Sequence, residues 1–292
     1  MSRGAAAAAA LAVPALEPEL PDSPYPGLRP FEKREWPVFF GRERMTEEVV
    51  DRLLERQLVF VHGSSGSGKS SLVRAGVLPR LEQYHARGGG VWRTCAMRPG
   101  DDPLGFLALA LAGLAGGTDP LPFLRLLNRG RDAAPALAGE LRLGPGERAC
   151  VLLDQFEELF QATGREAAEE ARLFADVLVG LAGEPPPGLY AVATMRSEFL
   201  GHCARFPGLV EAVNRTQYLL PPLERPDLLR AIREPATLYG GEVEAPLAER
   251  LVADAADSKD PLPLIQHALM LLWREAEAGT GERPRAAPAP TS

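Results

Sequence analysis

Residues 63–70 read G-S-S-G-S-G-K-S, a spacing of glycines, lysine and hydroxyl that suits a phosphate chain. Gly63, Gly66 and Gly68 let the backbone fold tightly, so that successive N–H groups converge on one anion. A helix starting near Lys69 would aim the positive end of its dipole at the same place. Lys69 would reach the β- and γ-phosphates and the Ser70 hydroxyl would hold Mg²⁺. Ser64, Ser65, Ser67 and Ser71 complete the candidate phosphate-binding set. Lys69 is one of three lysines (33, 69 and 259) against 29 arginines, which weighs against an accidental lysine in a Gly/Ser-rich linker.

A second piece of chemistry lies at 148–160, R-A-C-V-L-L-D-Q-F-E-E-L-F. An apolar strand ending in Asp154 puts a carboxylate at the carboxyl edge of a sheet, where ligands of open α/β sheets bind. There it would orient Mg²⁺, directly or through water. Glu157 and Glu158 follow about one helical turn later, and either would accept a proton from an attacking water. Alone, Asp154 reads equally well as a helix N-cap, and the two glutamates as a solvated face. Arg196 directly follows another apolar run, L-Y-A-V-A-T-M (189–195), so it also falls at the carboxyl edge. A guanidinium there would sense a γ-phosphate and stabilise the charge of transfer; its bland reading is a surface arginine starting a helix.

These residues need a sheet to gather them. The run Leu58 to Val61 reads as a buried strand, and 91–97, 149–154, 189–195 and 216–220 read as four more. Helical patterns alternate with them: 43–56, with Met45, Val49, Leu53 and Leu54 on one face; Lys69 to about Ala86, with a bend at Pro79; 103–140; 165–183; and 197–213. Gly88–Gly90 form a break between helix and strand. Strands alternating with helices predict an α/β fold with a parallel sheet flanked by helices, of the P-loop NTPase kind. Beyond Pro222 the pattern is all helical, at about 224–238, 246–257 and 262–278. The domain reading is therefore a disordered Ala/Pro-rich tail (1–23), the α/β domain (24–222), a helical lid (223–278) and a second tail (279–292). The stretch P-Y-P-G-L-R-P-F (24–31) carries aromatics that would anchor it to the domain.

Composition narrows the function classes. At 292 residues, with 46% hydrophobic and 24% charged residues, the chain has ample core for one large domain or two. A net charge of −7 argues against a general grip on nucleic acid or anionic membrane. Leu104 to Ala115 is too short to span a bilayer, and the six-alanine N-terminus is a weak match to a signal peptide. Cys95, Cys150 and Cys203 lack metal spacing; buried free thiols in a reducing cytosol fit them, so a cytoplasmic location is expected.

Several blocks together resemble the STAND class of signal-transduction ATPases, in particular the bacterial novel STAND NTPase branch. They are P-Y-P-G-L-R-P-F (24–31), F-F-G-R-E (39–43), the phosphate loop with L-V-R-A-G after it, L-L-D-Q-F-E-E-L-F (152–160), T-M-R-S-E-F (194–199) and P-L-P-L-I-Q-H-A-L (261–269). The phosphate loop alone is widely shared; the other blocks in this order are more specific. The resemblance implies that Phe40, Gly41 and Arg42 lie beside the adenine and ribose, as in related AAA+ ATPases. It implies that Pro263 contacts the nucleotide from the helical lid and that Arg196 is the first sensor. It further implies a closed ADP state that opens on exchange for ATP, often with assembly into oligomers. Family members usually continue into a winged-helix domain and then repeats or an effector. This sequence turns Pro/Ala-rich near residue 279, which implies a fragment, or a sensor and effector on separate polypeptides.

The expected function is thus an ATP-binding, slowly hydrolysing switch using ATP/ADP and Mg²⁺. Its partners would be proteins or a nucleotide-dependent homo-oligomer, with no clear nucleic acid and no membrane. A hydrolysis-poor nucleotide-binding interaction module is the alternative, and a P-loop phosphotransferase a weaker one. No N-K-x-D block for reading guanine occurs.

Overall fold

The computed structural model describes residues 19–86, 90–256, 258 and 260–280. Most of both expected tails, two glycines of the Gly88–Gly90 break and residue 257, at the end of an expected helix, lie outside the described residues. In chain order the elements are α1 (Glu43–Arg56), β1 (Leu58–Gly63), α2 (Lys69–Ser71), a π-helical segment (Leu72–Val77) and α3 (Leu78–Ala86). β2 (Trp92–Met97), α4 (Pro103–Leu114), α5 (Leu121–Leu127), α6 (Ala133–Glu140), β3 (Arg148–Leu153) and α7 (Arg165–Gly183) follow. The chain then forms β4 (Leu189–Arg196), α8 (Leu209–Thr216), β5 (Gln217–Leu219), α9 (Arg225–Leu238), α10 (Ala245–Ala255) and α11 (Pro261–Thr280).

The five strands make one parallel sheet in the order β2-β3-β4-β1-β5. Their continuous apolar runs are explained by burial on both faces. Alternate residues of one strand enter different cores: Leu58 and Phe60 join one cluster, Val59 and Val61 the other. In β3, Val151 and Leu153 divide from Cys150 and Leu152 in the same way. Phe156 sits at the centre of the first core, with ring centroids 5.4 Å from Phe60, 5.7 Å from Phe160 and 6.3 Å from Phe174. Cys150 and Cys203 are buried and Cys95 is half-buried; burial raises the pKa of all three thiols. Among the described residues, no helix is long and apolar enough to cross a membrane.

The helix after the phosphate loop carries the expected disturbance near Pro79, in the form of a widened turn ahead of it. The Leu78 N–H donates to the Val73 carbonyl, five residues back. Pro79 has no N–H, and its ring would press on the carbonyl four residues earlier; a wider turn relieves that contact. The helix expected after Asp154 is a 3₁₀-helix, Phe156–Gln161.

A third core joins the two ends of the described chain. Tyr25, Phe31 and Val38 pack with Ile232, Tyr239, Leu269 and Trp273 of the terminal helices. The Tyr25 hydroxyl donates to the Ile232 carbonyl at 2.6 Å, and Tyr239 donates to that of Pro21 at 2.5 Å. The 24–222 block expected around the sheet therefore begins with residues whose core is shared with the helices beyond 223. Their aromatics explain it: P-Y-P-G-L-R-P-F is turn-rich and its large rings need an apolar partner, which α9 and α11 supply.

Substituting Phe156→Ala should lower the unfolding free energy by about 3–5 kcal/mol, since a fully buried ring would leave a cavity among three others. Urea unfolding followed by circular dichroism measures it.

Candidate functional site

The strand order decides what meets at the carboxyl edge. β4 lies between β1 and β3, with Gly63 opposite Arg196 and Leu153 opposite Ala193. Phosphate loop, Arg196 and Asp154 thus line up across neighbouring strand ends. Asp154 is completely buried. Its Oδ1 accepts from the Ser70 hydroxyl (2.7 Å) and the Thr194 hydroxyl (2.7 Å), and its Oδ2 from Arg74 Nη2 (3.0 Å). A buried carboxylate is tolerable only with such pairing. Asp154 is therefore no N-cap here. The cap position of the following helix is Gln155, in the left-handed region at φ 58°, whose N–H donates to Thr194 Oγ1 at 3.0 Å.

That left-handed residue turns the 3₁₀-helix so that its two glutamates part. Glu157 is buried and lines a cavity of about 260 Å³ together with Lys69, Ser70, Gln155, Thr194 and Arg196. Glu158 points elsewhere, its Oε2 accepting from the Gly100 N–H at 3.1 Å. One Glu157 oxygen lies 3.4 Å from Arg196 Nε, and the other accepts from the Arg196 N–H at 3.4 Å. Burial pushes the Glu157 carboxyl above the usual carboxylate range, against the opposing pull of that N–H, Lys69 and Arg196. Burial also lowers the Lys69 ammonium, despite Glu157 nearby.

The phosphate loop has the conformation its glycines permit, with Gly66 at φ 65° and Gly68 at φ 88°. Ser65, Gly66, Gly68, Lys69, Ser70 and Ser71 line the cavity. Gly63, Ser64 and Ser67 stand behind it: Lys69 Nζ donates to the carbonyls of Gly63 (3.1 Å) and Ser64 (2.6 Å) and lies 3.5 Å from Ser67 Oγ. A Cβ on Gly66 would come within 2.5 Å of the Asp260 carboxylate, which leads into α11. The terminal helices thus close over the loop, and Pro263 of α11 lines the same cavity.

Of the F-F-G-R-E block, Phe39, Phe40 and Arg42 reach the cavity. The Arg42 guanidinium is committed to the carbonyls of Ser67 (2.9 Å) and Pro221 (2.7 Å), tying the phosphate loop to the link into α9, and burial lowers its pKa to about 10. Gly41, at φ 84°, lies outside the cavity lining. A Cβ there would stand 2.4 Å from the Asp227 carbonyl, so the glycine permits a backbone-to-backbone approach to α9.

Three contributors escaped the sequence reading. Thr194 bridges Asp154 and Gln155, and only the T of T-M-R-S hinted at it. Arg74, in the π-helical segment, joins Asp154 to Glu32, reaching the latter at 2.8 Å. Gly27 to Phe31 form part of the cavity wall, and the Phe31 N–H donates to Ser71 Oγ at 3.2 Å. The donor set suits a hard cation: a hydroxyl and a carboxylate 2.7 Å apart supply oxygen only, the kind of partial site Mg²⁺ takes with waters and phosphate oxygens.

The profile of the family described as Novel STAND NTPase 1 matches residues 24–284. The chain belongs to this family. No curated protein matches it. Among solved structures, the ORC1 protein of Aeropyrum pernix in complex with DNA is similar at 17% identity and a TM-score of 0.58, over 87% of this chain and 64% of that one. The ORC2 protein of Aeropyrum pernix in its ADP form gives 17% identity and a TM-score of 0.53, over 88% and 67%. Drosophila ORC bound to DNA gives 16% and 0.53, over 84% and 58%. The chain spans under two thirds of the ORC1 chain, and at such identities the likeness is one of fold. Family and fold together make this novel STAND NTPase a P-loop nucleotide-binding protein.

Arg74→Met should destabilise the fold by on the order of 3 kcal/mol, because it strips a buried carboxylate of its hydrogen-bonded cation and leaves only Arg98, at 3.9 Å. Glu32→Gln, at the half-exposed end of the same network, should lose less than about 1 kcal/mol. Chemical unfolding of both variants side by side checks the contrast.

Proposed function

We propose that this chain is an ATP-binding, slowly hydrolysing switch. One observation carries the reading: Asp154, at the end of β3, accepts a hydrogen bond from Ser70, which lines the cavity together with Lys69, Glu157 and Arg196. In this reading Lys69 and the loop amides bind the β- and γ-phosphates. Ser70 and Asp154 hold Mg²⁺, which would neutralise phosphate charge. Glu157 accepts the proton of the attacking water, and Arg196 faces the charge on the γ-phosphate. Glu158, turned to Gly100, has no part in this step.

The switch follows from how the cavity is walled. Sheet edge, N-terminal segment and α11 all contribute to it, so a ligand that contacts all three biases their arrangement. The Arg196 contacts on Glu157 support slow turnover, since a base so engaged must be released before it can take a proton. Taken further, the same contacts favour a second reading: a nucleotide-dependent docking module whose hydrolysis stays at background. The net charge of −7 and three free thiols suit cytoplasmic protein partners, including further copies of this chain. The DNA seen with the ORC structures belongs to those proteins.

Lys69→Ala should abolish nucleotide binding in a calorimetric titration. Glu157→Gln should bind ATP normally and lose phosphate release by about 10²-fold or more. Unchanged binding and turnover in both variants would overturn the assignment; phosphate release at background in the wild type would select the docking module.

Turnover should also fall as pH drops, through an inflection above that of an exposed glutamate, because burial raises the Glu157 pKa. The raised native pKa also means that ionised Glu157 costs stability at neutral pH, where the unfolded chain ionises it freely. Glu157→Gln should therefore show a Tm at pH 7 no lower than the wild type, measured by thermal melting.

A further inference from the structure

Strand β1 is apolar or glycine throughout except at His62, which is buried with the rest. A leucine there would fill the space without giving up contact with water, so a buried imidazole needs partners. His62 has two. Its Nδ1 lies 3.0 Å from Ser197 Oγ and its Nε2 lies 3.1 Å from Gln217 Oε1. Burial lowers the pKa of the ring, against the Gln217 contact and with the help of the Lys69 ammonium. A neutral imidazole donates at one nitrogen and accepts at the other. Nε2 therefore donates to the Gln217 amide oxygen, and Nδ1 accepts from the Ser197 hydroxyl.

The place of the Ser197 contact gives it a use. The ladder between β1 and β4 ends at the pair Gly63 and Arg196. Past that pair the two chains part, one into the phosphate loop and the other into the 3₁₀-helix Ser197–Arg205. Arg196 occupies the cap position of that helix without a capping bond from its side chain. Ser197 stands one residue beyond the ladder, and its hydroxyl on His62 extends the registration of the two strands by that step. Arg196 is thereby held on both sides, by the ladder before it and by His62 after it. The bond to Gln217 of β5 holds the ring itself, so that Nδ1 stays turned towards Ser197. His62 stands outside the cavity wall, whereas Arg196 is part of it.

We propose that His62 is a positioning residue for Arg196: through the Ser197 hydroxyl it sets where the chain leaves β4 and so where the guanidinium stands in the cavity. The inference rests on the ATPase reading above, in which Arg196 faces the γ-phosphate, and names the residue that aims it. Misplacement of a charged group by a fraction of an ångström weakens its grip on transition-state charge more than it weakens ground-state binding.

Steady-state ATP hydrolysis by the full chain tests this, with Ser197→Ala as the first variant because it removes one hydroxyl from a half-buried position. Ser197→Ala should lower kcat about tenfold and leave the calorimetric Kd for ATP within about twofold. In an Arg196→Ala background the same change should cost less than about twofold, since the group being aimed is gone. His62→Asn and His62→Gln separate the two contacts of the ring, because the shorter amide reaches the Nδ1 position and the longer one that of Nε2. His62→Asn should keep kcat within about threefold of the wild type, and His62→Gln should lose as much as Ser197→Ala. Arg196→Ala that impairs turnover, with a Ser197→Ala loss of equal size in both backgrounds, overturns the inference and leaves the ATPase reading standing. So does an unchanged kcat in Ser197→Ala, or a His62→Asn that loses as much as His62→Gln. A silent Arg196→Ala defeats the role given to Arg196, and phosphate release at background in the wild type defeats hydrolysis itself; either removes this inference too.

Discussion

Everything at the sheet edge depends on keeping one carboxylate comfortable out of water. Asp154 is fully enclosed, and ionised carboxylates survive such enclosure only with dense pairing. Its three hydrogen-bonding side-chain partners come from different parts of the chain: Ser70 from the phosphate-loop helix, Thr194 from β4 and Arg74 from the π-helical segment. Satisfying one group therefore registers three elements against one another. The parallel sheet brings the strand ends level, and the hydrogen bonds to Asp154 fix the remaining degrees of freedom.

From that knot, charge is handed outward along a definite route. Arg74 carries it to Glu32, whose N–H donates to Glu35, and Glu35 pairs with Arg29 on the cavity wall. The N-terminal segment is thus held by ionic contacts on one side and by the aromatic core with Trp273 and Ile232 on the other. The cavity lies in the seam between sheet edge, segment and terminal helices. Binding sites in such seams report on the relative placement of their walls, and the switch reading rests on that property.

Much of this was legible because the strands are buried on both faces. Runs such as 149–153 and 189–195 read as strands from their apolar continuity, and the charged residue after each, Asp154 or Arg196, is at the edge by construction. The phosphate loop was legible because its chemistry demands glycine and lysine at fixed spacing. Strand order was not, since the sequence around Arg196 carries no sign that β4 inserts between β1 and β3. Nor could spacing separate Glu157 from Glu158: the choice is made by a left-handed glutamine and a 3₁₀ turn, which leave little compositional trace. The role of P-Y-P-G-L-R-P-F was half visible. Its rings announced an anchor, but their partners lie some two hundred positions away, and no local pattern shows a contact at that range.

That long-range contact bears on where the molecule tolerates being cut. A shortened gene product beginning at Glu43 would retain the phosphate loop, Asp154, Glu157, Arg196 and Pro263, and would look intact to an inspection confined to those residues. Yet it would lack the cavity floor from Gly27 to Phe40 and the rings that seat Trp273, leaving α9 and α11 with bare apolar faces. Boundaries drawn from the conspicuous motifs would miss the segment that makes the two ends of the chain one body.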